Sequence, residues 1–515
     1  MTKTKIVNIR RDGLLMRIFP LDKKLSRILK PLLKYRKAVY LATEAERRKH
    51  NNERMVFTTV RCYKVIKGNA SNQLLTNSGY LTKILVAIKR LKRQIDIKDL
   101  RPIGRKGAFT VDKQVIEETG FRPKQKELLL RMVTAERGQV CYPTGAGKSF
   151  LARVYCQALP KARLVFTTKH QAVLKEAYAG LKKVLPNVGI YCSEKKENVG
   201  ARVMCCSTGS LHHAIDWKPD ALLVDETQEL ATPKMLKALS AFKSCRFIGL
   251  SANYKDRMDG ADFELEGLFG PRIATLSYDA AMKVGLIVPI EVHWRSVNIK
   301  SPVSPAAPRI IKQKYGIWRN AARNKLIAND ANSYPDDQLL IVVNTVDHAV
   351  HLKQLLPDFE ICYSTISPKK LAEFKQLGLL PKNYVPLTPQ QRDKMKTRFE
   401  AGTLKKVIAT SVWNRGVNFH KLQVLIRADA GGSKVNDTQI PGRLSRLGKS
   451  KGILIDYCDE FDVGFATNAL GRRRQYARKK WKQKLPAGAQ YDSKLANSNL
   501  KSFSKAKRKK LKVRR

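Results

Sequence analysis

The sequence predicts an α/β protein with two tandem parallel-sheet domains, a small α+β domain before them and a basic tail after them. Three observations carry this. Strand-sized apolar runs alternate with helical stretches over residues 117–290 and again over 339–456, and such alternation argues for parallel strands joined by crossover helices. A glycine loop sits between a strand-like and a helical run in the first block. Lys and Arg then crowd the stretch after residue 466. The expected boundaries are 1–116 for an accessory domain, 117–298 for the first α/β domain, 299–324 for a linker, 325–466 for the second α/β domain and 467–515 for the tail.

In chain order, Met55–Ile66 reads as strand and Tyr80–Arg93 as an amphipathic helix. Leu81, Ile84, Leu85, Ile88 and Leu91 recur at steps of three and four, with Lys83, Lys89, Arg90, Lys92 and Arg93 between them, which predicts a cationic outer face. The first block offers strands at Gln139–Tyr142, Arg163–Thr167, Arg202–Cys206, Ala221–Val224 and Arg246–Leu250. Pro302, Pro305 and Pro308 mark the linker. The second block offers Leu339–Val343, Glu360–Tyr363, Val407–Thr410, Val424–Arg427 and Gly452–Asp456. The tail, ending KSFSKAKRKKLKVRR, reads as a polyelectrolyte arm without a core of its own.

Composition bounds the function. The 515 residues hold 99 Lys and Arg against 43 Asp and Glu, a formal charge of +56. So large an excess points to a polyanionic partner, nucleic acid before an acidic membrane surface. A hydrophobic share of 43% excludes a wholly disordered basic chain. The basic start lacks the apolar run of a secretory signal, and no apolar stretch reaches the length that spans a bilayer. Nine cysteines without a C-x-x-C pair read as reduced thiols of an intracellular protein. His212, His213, His348 and His351 lack partners at zinc-ligand spacing and read as structural.

The sharpest motif is Pro143-Thr144-Gly145-Ala146-Gly147-Lys148-Ser149, after the strand-like Gln139–Tyr142 and before a helical run. Strand, glycine loop and helix make a phosphate cradle, because glycines let backbone N–H groups close on an anion at a helix N-terminus. Lys148 would reach the β- and γ-phosphates of a nucleotide and the Ser149 hydroxyl would ligate Mg2+. Tyr142 stands where the general pattern has its first glycine. Downstream, the apolar run Ala221–Val224 ends in Asp225-Glu226-Thr227-Gln228. Two adjacent carboxylates at a strand end suit metal binding by Asp225 and activation of an attacking water by Glu226.

With these motifs the chain resembles a superfamily 2 helicase or translocase, whose two motor domains are RecA-like. A Pro-Thr-Gly-x-Gly-Lys loop without the first glycine is typical of helicases. The resemblance implies that Gln439-Ile440-Pro441-Gly442-Arg443-Leu444-Ser445-Arg446 is the arginine motif of the second domain, with Gln439, Arg443 and Arg446 catalytic. A guanidinium placed on the transferring phosphoryl group is worth ~10³–10⁵ in rate in related hydrolases. Arg446 lies 298 residues after Lys148, so this group must come from the other domain. Further implied elements are Phe121-Arg122-Pro123-Lys124-Gln125, with Arg122 and Gln125 at the nucleotide and Gln125 reading adenine. Phe166–Lys169 and Ser207–Leu211 would place Thr168, Lys169, Thr208 and Gly209 on a nucleic-acid strand. Gly249–Asn253 resembles the motif usually ending Ser-Ala-Thr. Thr410-Ser411 with Gly416 and Asn418 supplies a strand contact at Thr410 and nucleotide contacts at Gly416 and Asn418.

Arg257-Met258-Asp259-Gly260, with Leu268–Pro271 and Gly285–Pro289, resembles the XPB-like branch and its phage members, the UvsW-like helicases. That branch implies strand contact by Arg257, a duplex-DNA-binding domain in 1–116 and remodelling of forks, displacement loops and four-way junctions in recombination, repair or replication, with ATP and Mg2+ as cofactors. Gln228 replaces a usual His and Asn253 a usual Thr, positions that couple nucleotide state to strand movement. RNA is the alternative substrate, since the motifs contact backbone. A viral DNA-packaging ATPase is the alternative of another class, disfavoured because Gln439–Arg446 stands where such a motor has a nuclease. A non-catalytic DNA-binding protein with a relic ATPase is opposed by intact Lys148 and Glu226.

Overall fold

A computed structural model describes residues 6–486 apart from 42, 52, 54, 70, 101–103, 253–259, 414–418, 433–439, 447 and 449. Asn253, Arg257, Gly416, Asn418 and Gln439 lie outside the described residues. Three principal sheets follow one another along the chain. The first has five strands in the spatial order Tyr63–Ile66, Gln73–Asn77, Leu15–Phe19, Ile6–Asp12 and Gln94–Asp99. The helices Lys23–Leu32 and Leu81–Arg90 bury Leu25, Leu29, Ile84 and Ile88 in its core. Asp22 caps the earlier helix by accepting from the Leu25 N–H at 2.9 Å, satisfying a donor that a helix start leaves unpaired.

The stretch Met55–Ile66 is not one strand. Met55–Arg61 pairs with Lys34–Tyr40 in a separate hairpin, whereas Tyr63–Ile66 joins the five-stranded sheet. Nor is Lys83 part of an outward cationic face. It pairs with Glu266 at 2.9 Å and lies 4.3 Å from the Phe263 ring centroid, on the helix Asp262–Phe269 of the next domain. Tyr80 donates to the Phe263 carbonyl at 2.7 Å in the same seam.

Two RecA-like domains follow. The first holds eight strands, in the order Lys196–Glu197, Val188–Tyr191, Val203–Ser207, Leu164–Thr168, Ala221–Asp225, Arg246–Ser251, Arg137–Cys141 and Arg272–Thr275. All neighbours are parallel except the edge strand Lys196–Glu197. Every residue of Ala221–Asp225 is buried, as a strand covered by helices on both faces requires. The second holds seven parallel strands, in the order Glu360–Cys362, Lys406–Ala409, Leu339–Val342, Val424–Arg427, Gly452–Asp459, Ile290–Val297 and Lys482–Lys484.

Three sequence boundaries move. Ile290–Val297 belongs to the second sheet, pairing with Gly452–Asp459 along its length. The expected linker is structured from Arg309, with helices over Arg309–Gln313, Lys314–Trp318 and Ala321–Asn332 and with Ile317 and Trp318 buried. The expected tail contributes the helix Val463–Arg478 and the strand Lys482–Lys484 to the second domain. Phe465, Ala469, Arg472 and Tyr476 face its core at helical spacing. The arginine is held there by Asp456, whose Oδ2 accepts from Nε at 2.9 Å and whose Oδ1 accepts from Nη2 at 2.9 Å. Among the described residues no helix is long and apolar enough to cross a membrane.

Candidate nucleotide site at the domain interface

The strand Arg137–Cys141 delivers the glycine loop to the carboxyl edge of the first sheet, where parallel folds bind ligands. Gly145 and Gly147 take φ of +87° and +92°, left-handed values that a side chain resists. A Cβ at Gly147 would stand 2.3 Å from Gln125 Nε2. The helix Lys148–Ala158 starts immediately, aiming its N-terminus at the loop. Lys148 Nζ donates to the Tyr142 carbonyl at 3.1 Å, so the ammonium lies back across the loop. Pro143 and Ala146 are buried and Ser149 is exposed at the rim. Gln125 braces the cradle: its Oε1 accepts from the Arg122 N–H at 3.0 Å and its Nε2 donates to the Ala146 carbonyl at 3.0 Å. Arg122 itself is exposed.

The acidic pair stands two strands away, with Arg246–Ser251 between. Asp225 is 8% exposed. Burial, then the neighbouring Glu226, push its carboxyl well above the usual range, and the charge of Lys148 opposes them. A carboxylate so desolvated gains most from a cation placed beside it. Glu226 has φ +52°, strained for a residue with a Cβ. Gln228 joins the strands: its amide donates to Glu226 Oε2 and its Oε1 accepts from the Ser251 hydroxyl at 2.5 Å. The departure from His therefore keeps a hydrogen-bonded bridge between the acidic motif and Ser251. Glu229 is met by His170 Nε2 at 2.9 Å, a contact that nothing in the sequence signals because 59 residues separate the partners.

The second domain reaches this site through the short helical turn Pro441–Ser445. Ser445 Oγ lies 3.0 Å from the Thr144 carbonyl and 2.5 Å from that of Gly442, donating to this pair of acceptors. A Cβ at Gly442 would lie 3.1 Å from Thr144 Cβ, and one at Gly145 would lie 3.6 Å from Arg446 Cγ. Arg446 thus runs along the glycine loop. Burial pushes its guanidinium down to about 10, so it stays charged at neutral pH. Arg443 goes elsewhere: it donates to the Trp413 carbonyl and lies 6.0 Å from the Phe419 ring centroid, next to the turn after Thr410. The sequence named both arginines. It missed Ser445, the residue between them that touches the first domain.

The expected nucleic-acid contacts divide by exposure. Lys169 and Gly209 are exposed, and Thr208 and Thr410 are 8% and 6% exposed. Thr168 ends its strand with 0% exposure.

Paired parallel-sheet domains with a phosphate loop on one and an arginine turn on the other define the class of two-domain nucleotide motors. Residues 118–256 match the family "Type III restriction enzyme, res subunit" and residues 320–448 the "Helicase conserved C-terminal domain". The chain is 23% identical over 368 residues to "Putative helicase 22" of Sulfolobus islandicus filamentous virus (isolate Iceland/Hveragerdi), covering 63% of this chain and 61% of that protein. It is 24% identical over 218 residues to DNA polymerase theta of Drosophila melanogaster, covering 33% of this chain and 10% of that protein. It therefore spans less than two thirds of either relative. Among solved structures, a variant of S. cerevisiae Dbp5 bound to RNA and ADP BeF3 superposes with a TM-score of 0.50 at 13% identity, covering 76% of this chain and 98% of that one. T4 UvsW gives 0.41 at 14% identity, covering 93% and 99%. The chain belongs to the superfamily 2 helicases.

Proposed function

We propose that this protein is an ATP-dependent DNA helicase or translocase that remodels branched DNA, with residues 1–116 as an accessory duplex-binding domain. The observation that carries the motor reading is the seam in which Ser445 meets the Thr144 carbonyl at 3.0 Å and Arg446 lies along the same loop. The left-handed glycines fit a phosphate, and the desolvated Asp225 with the rim hydroxyl of Ser149 fits a divalent cation. A magnesium ion held there would neutralise charge on the β- and γ-phosphates.

In this mechanism Lys148 leaves the Tyr142 carbonyl to meet the phosphates. Glu226, oriented by Gln228, takes the proton of the attacking water. Arg446 stabilises the charge that develops on the transferred group, while Arg443 holds the turn that carries Trp413. Since one face of the nucleotide pocket belongs to each domain, binding draws the domains together and hydrolysis loosens them. Thr168, Lys169, Thr208, Gly209, Arg257 and Thr410 are the proposed strand contacts. DNA and a role at forks and junctions rest on the XPB-like Arg257-Met258-Asp259-Gly260 and on a charge of +56. ATP hydrolysis measured with single-stranded DNA, duplex, four-way junction and RNA tests the reading: the largest stimulation is expected with junction DNA, and stimulation by RNA alone would overturn it.

A further inference from the structure

The hairpin Lys34–Tyr40 with Met55–Arg61 stands outside both motor sheets, and its two faces differ. Tyr35 marks the inner face. Its ring lies 5.6 Å from that of Phe263, its hydroxyl donates to Glu264, and it packs against Gly260 of the first motor domain. The register pairs Lys34 with Arg61, Arg36 with Thr59, Ala38 with Phe57 and Tyr40 with Met55 on the outer face. There Tyr40 is 66% exposed, Phe57 53% and Met55 42%. The Arg36 guanidinium lies 4.9 Å from the Phe57 ring centroid. No residue of this face is acidic, and residues 34–61 hold eight Lys and Arg against three Glu.

Solvent-exposed aromatics beside cations are costly to leave uncovered, and their chemistry selects the cover. Bases stack on aromatic rings while phosphates meet the flanking cations, whatever the base sequence. A second copy across a two-fold axis would instead bring Lys34, Arg36 and Arg61 against their own equivalents. We propose that this outer face is a stacking platform for single-stranded nucleic acid, with Tyr40 and Phe57 under the bases and Lys34, Arg36 and Arg61 on the phosphates. The proposal rests on the helicase reading and adds a strand site outside the motor cleft, anchored to the chain just after the Ser251 strand.

The test is binding of the full chain to oligo(dT) across a salt series. Replacing Tyr40→Ala together with Phe57→Ala should weaken binding by about thirtyfold or more at unchanged salt slope, because stacking releases no counterions. Lys34→Gln with Arg36→Gln should instead lower the slope by roughly 1.4, or ~0.7 per phosphate contact on a single strand. All four positions are surface side chains, so an unchanged melting temperature is the folding control. Undiminished oligo(dT) affinity in the aromatic variant overturns the platform, as does a wild-type dimer that the variant abolishes. If wild-type hydrolysis is still stimulated by DNA in that case, the helicase reading survives alone. Absence of both binding and stimulation in the wild type removes both.

Discussion

Lys148, Glu226 and Arg446 come from three stretches of chain, and each is held by a different constraint. Lys148 is the first residue of its helix, Glu226 sits at φ +52° with Gln228 on its carboxylate, and Arg446 follows a turn hydrogen-bonded to the glycine loop. Lys148→Ala and Glu226→Gln are expected to abolish DNA-stimulated hydrolysis while DNA affinity stays within a few-fold. Turnover in either variant would reassign the site. Arg446→Ala should keep ATP affinity within a few-fold and reduce turnover by ~10³-fold or more, read by equilibrium nucleotide binding against steady-state rate. Parallel loss of both would make Arg446 structural. These residues were legible in the sequence because the motifs that carry them are short and flanked by their own strand and helix. The burial of Thr168 was not legible, because exposure at a strand end is set by the neighbouring strands, not by its own tripeptide.

The helix Val463–Arg478 and the strand Lys482–Lys484 close the second domain, and each is tied by charge. Arg472 is 1% exposed and Asp456 0%. Arg472→Ala leaves that carboxylate with only the Tyr476 hydroxyl at 2.7 Å and the Tyr457 N–H at 2.8 Å, its guanidinium partner gone, and is expected to cost about 3–5 kcal/mol in denaturant unfolding. A cost below about 1 kcal/mol would show that water or a neighbour replaces the guanidinium. Glu291, on the neighbouring strand, is paired with Lys484 and His293, and these partners pull its carboxyl down to about 2. A folded value below the unfolded ~4.3 stabilises above the unfolded value and is lost as pH falls through the folded one. The stability gap between wild type and Glu291→Gln should therefore hold steady from neutral pH to about 5, then close between about 4 and 2. A gap independent of pH would assign the loss to packing. A run of Arg and Lys reads as solvated because its composition is polar; only the position of Asp456, 16 residues upstream, makes Arg472 a core residue.

At the scale of the whole molecule, the stretch after Pro486 stands out by its charge. Residues 487–515 contain ten Lys and Arg and one Asp, whereas the cations of 467–486 sit on elements of the second domain. Truncation after Pro486 should leave the melting temperature unchanged and lower the salt slope of duplex binding by about 0.9 for each phosphate contact removed. Truncation after Leu470 should unfold the second domain, since it removes Arg472, Tyr476 and the Lys482–Lys484 strand. An unchanged slope in the longer chain would show that 487–515 does not touch DNA. By itself the sequence determined the two alternating α/β blocks and the positions of the glycine loop and the adjacent Asp225 and Glu226 at a strand end. Each is encoded within a few consecutive residues, and backbone conformation there follows from glycine, strand and helix preferences nearby. Tertiary structure alone decided that Arg446 and Ser445, not Arg443, line the glycine loop, that Thr168 is buried, and that 463–484 belongs to the second domain. It also decided that one hairpin face meets Phe263 while the other carries uncovered aromatics. Those outcomes depend on partners tens to hundreds of residues away, where burial and ion pairing are settled by packing that no local pattern records.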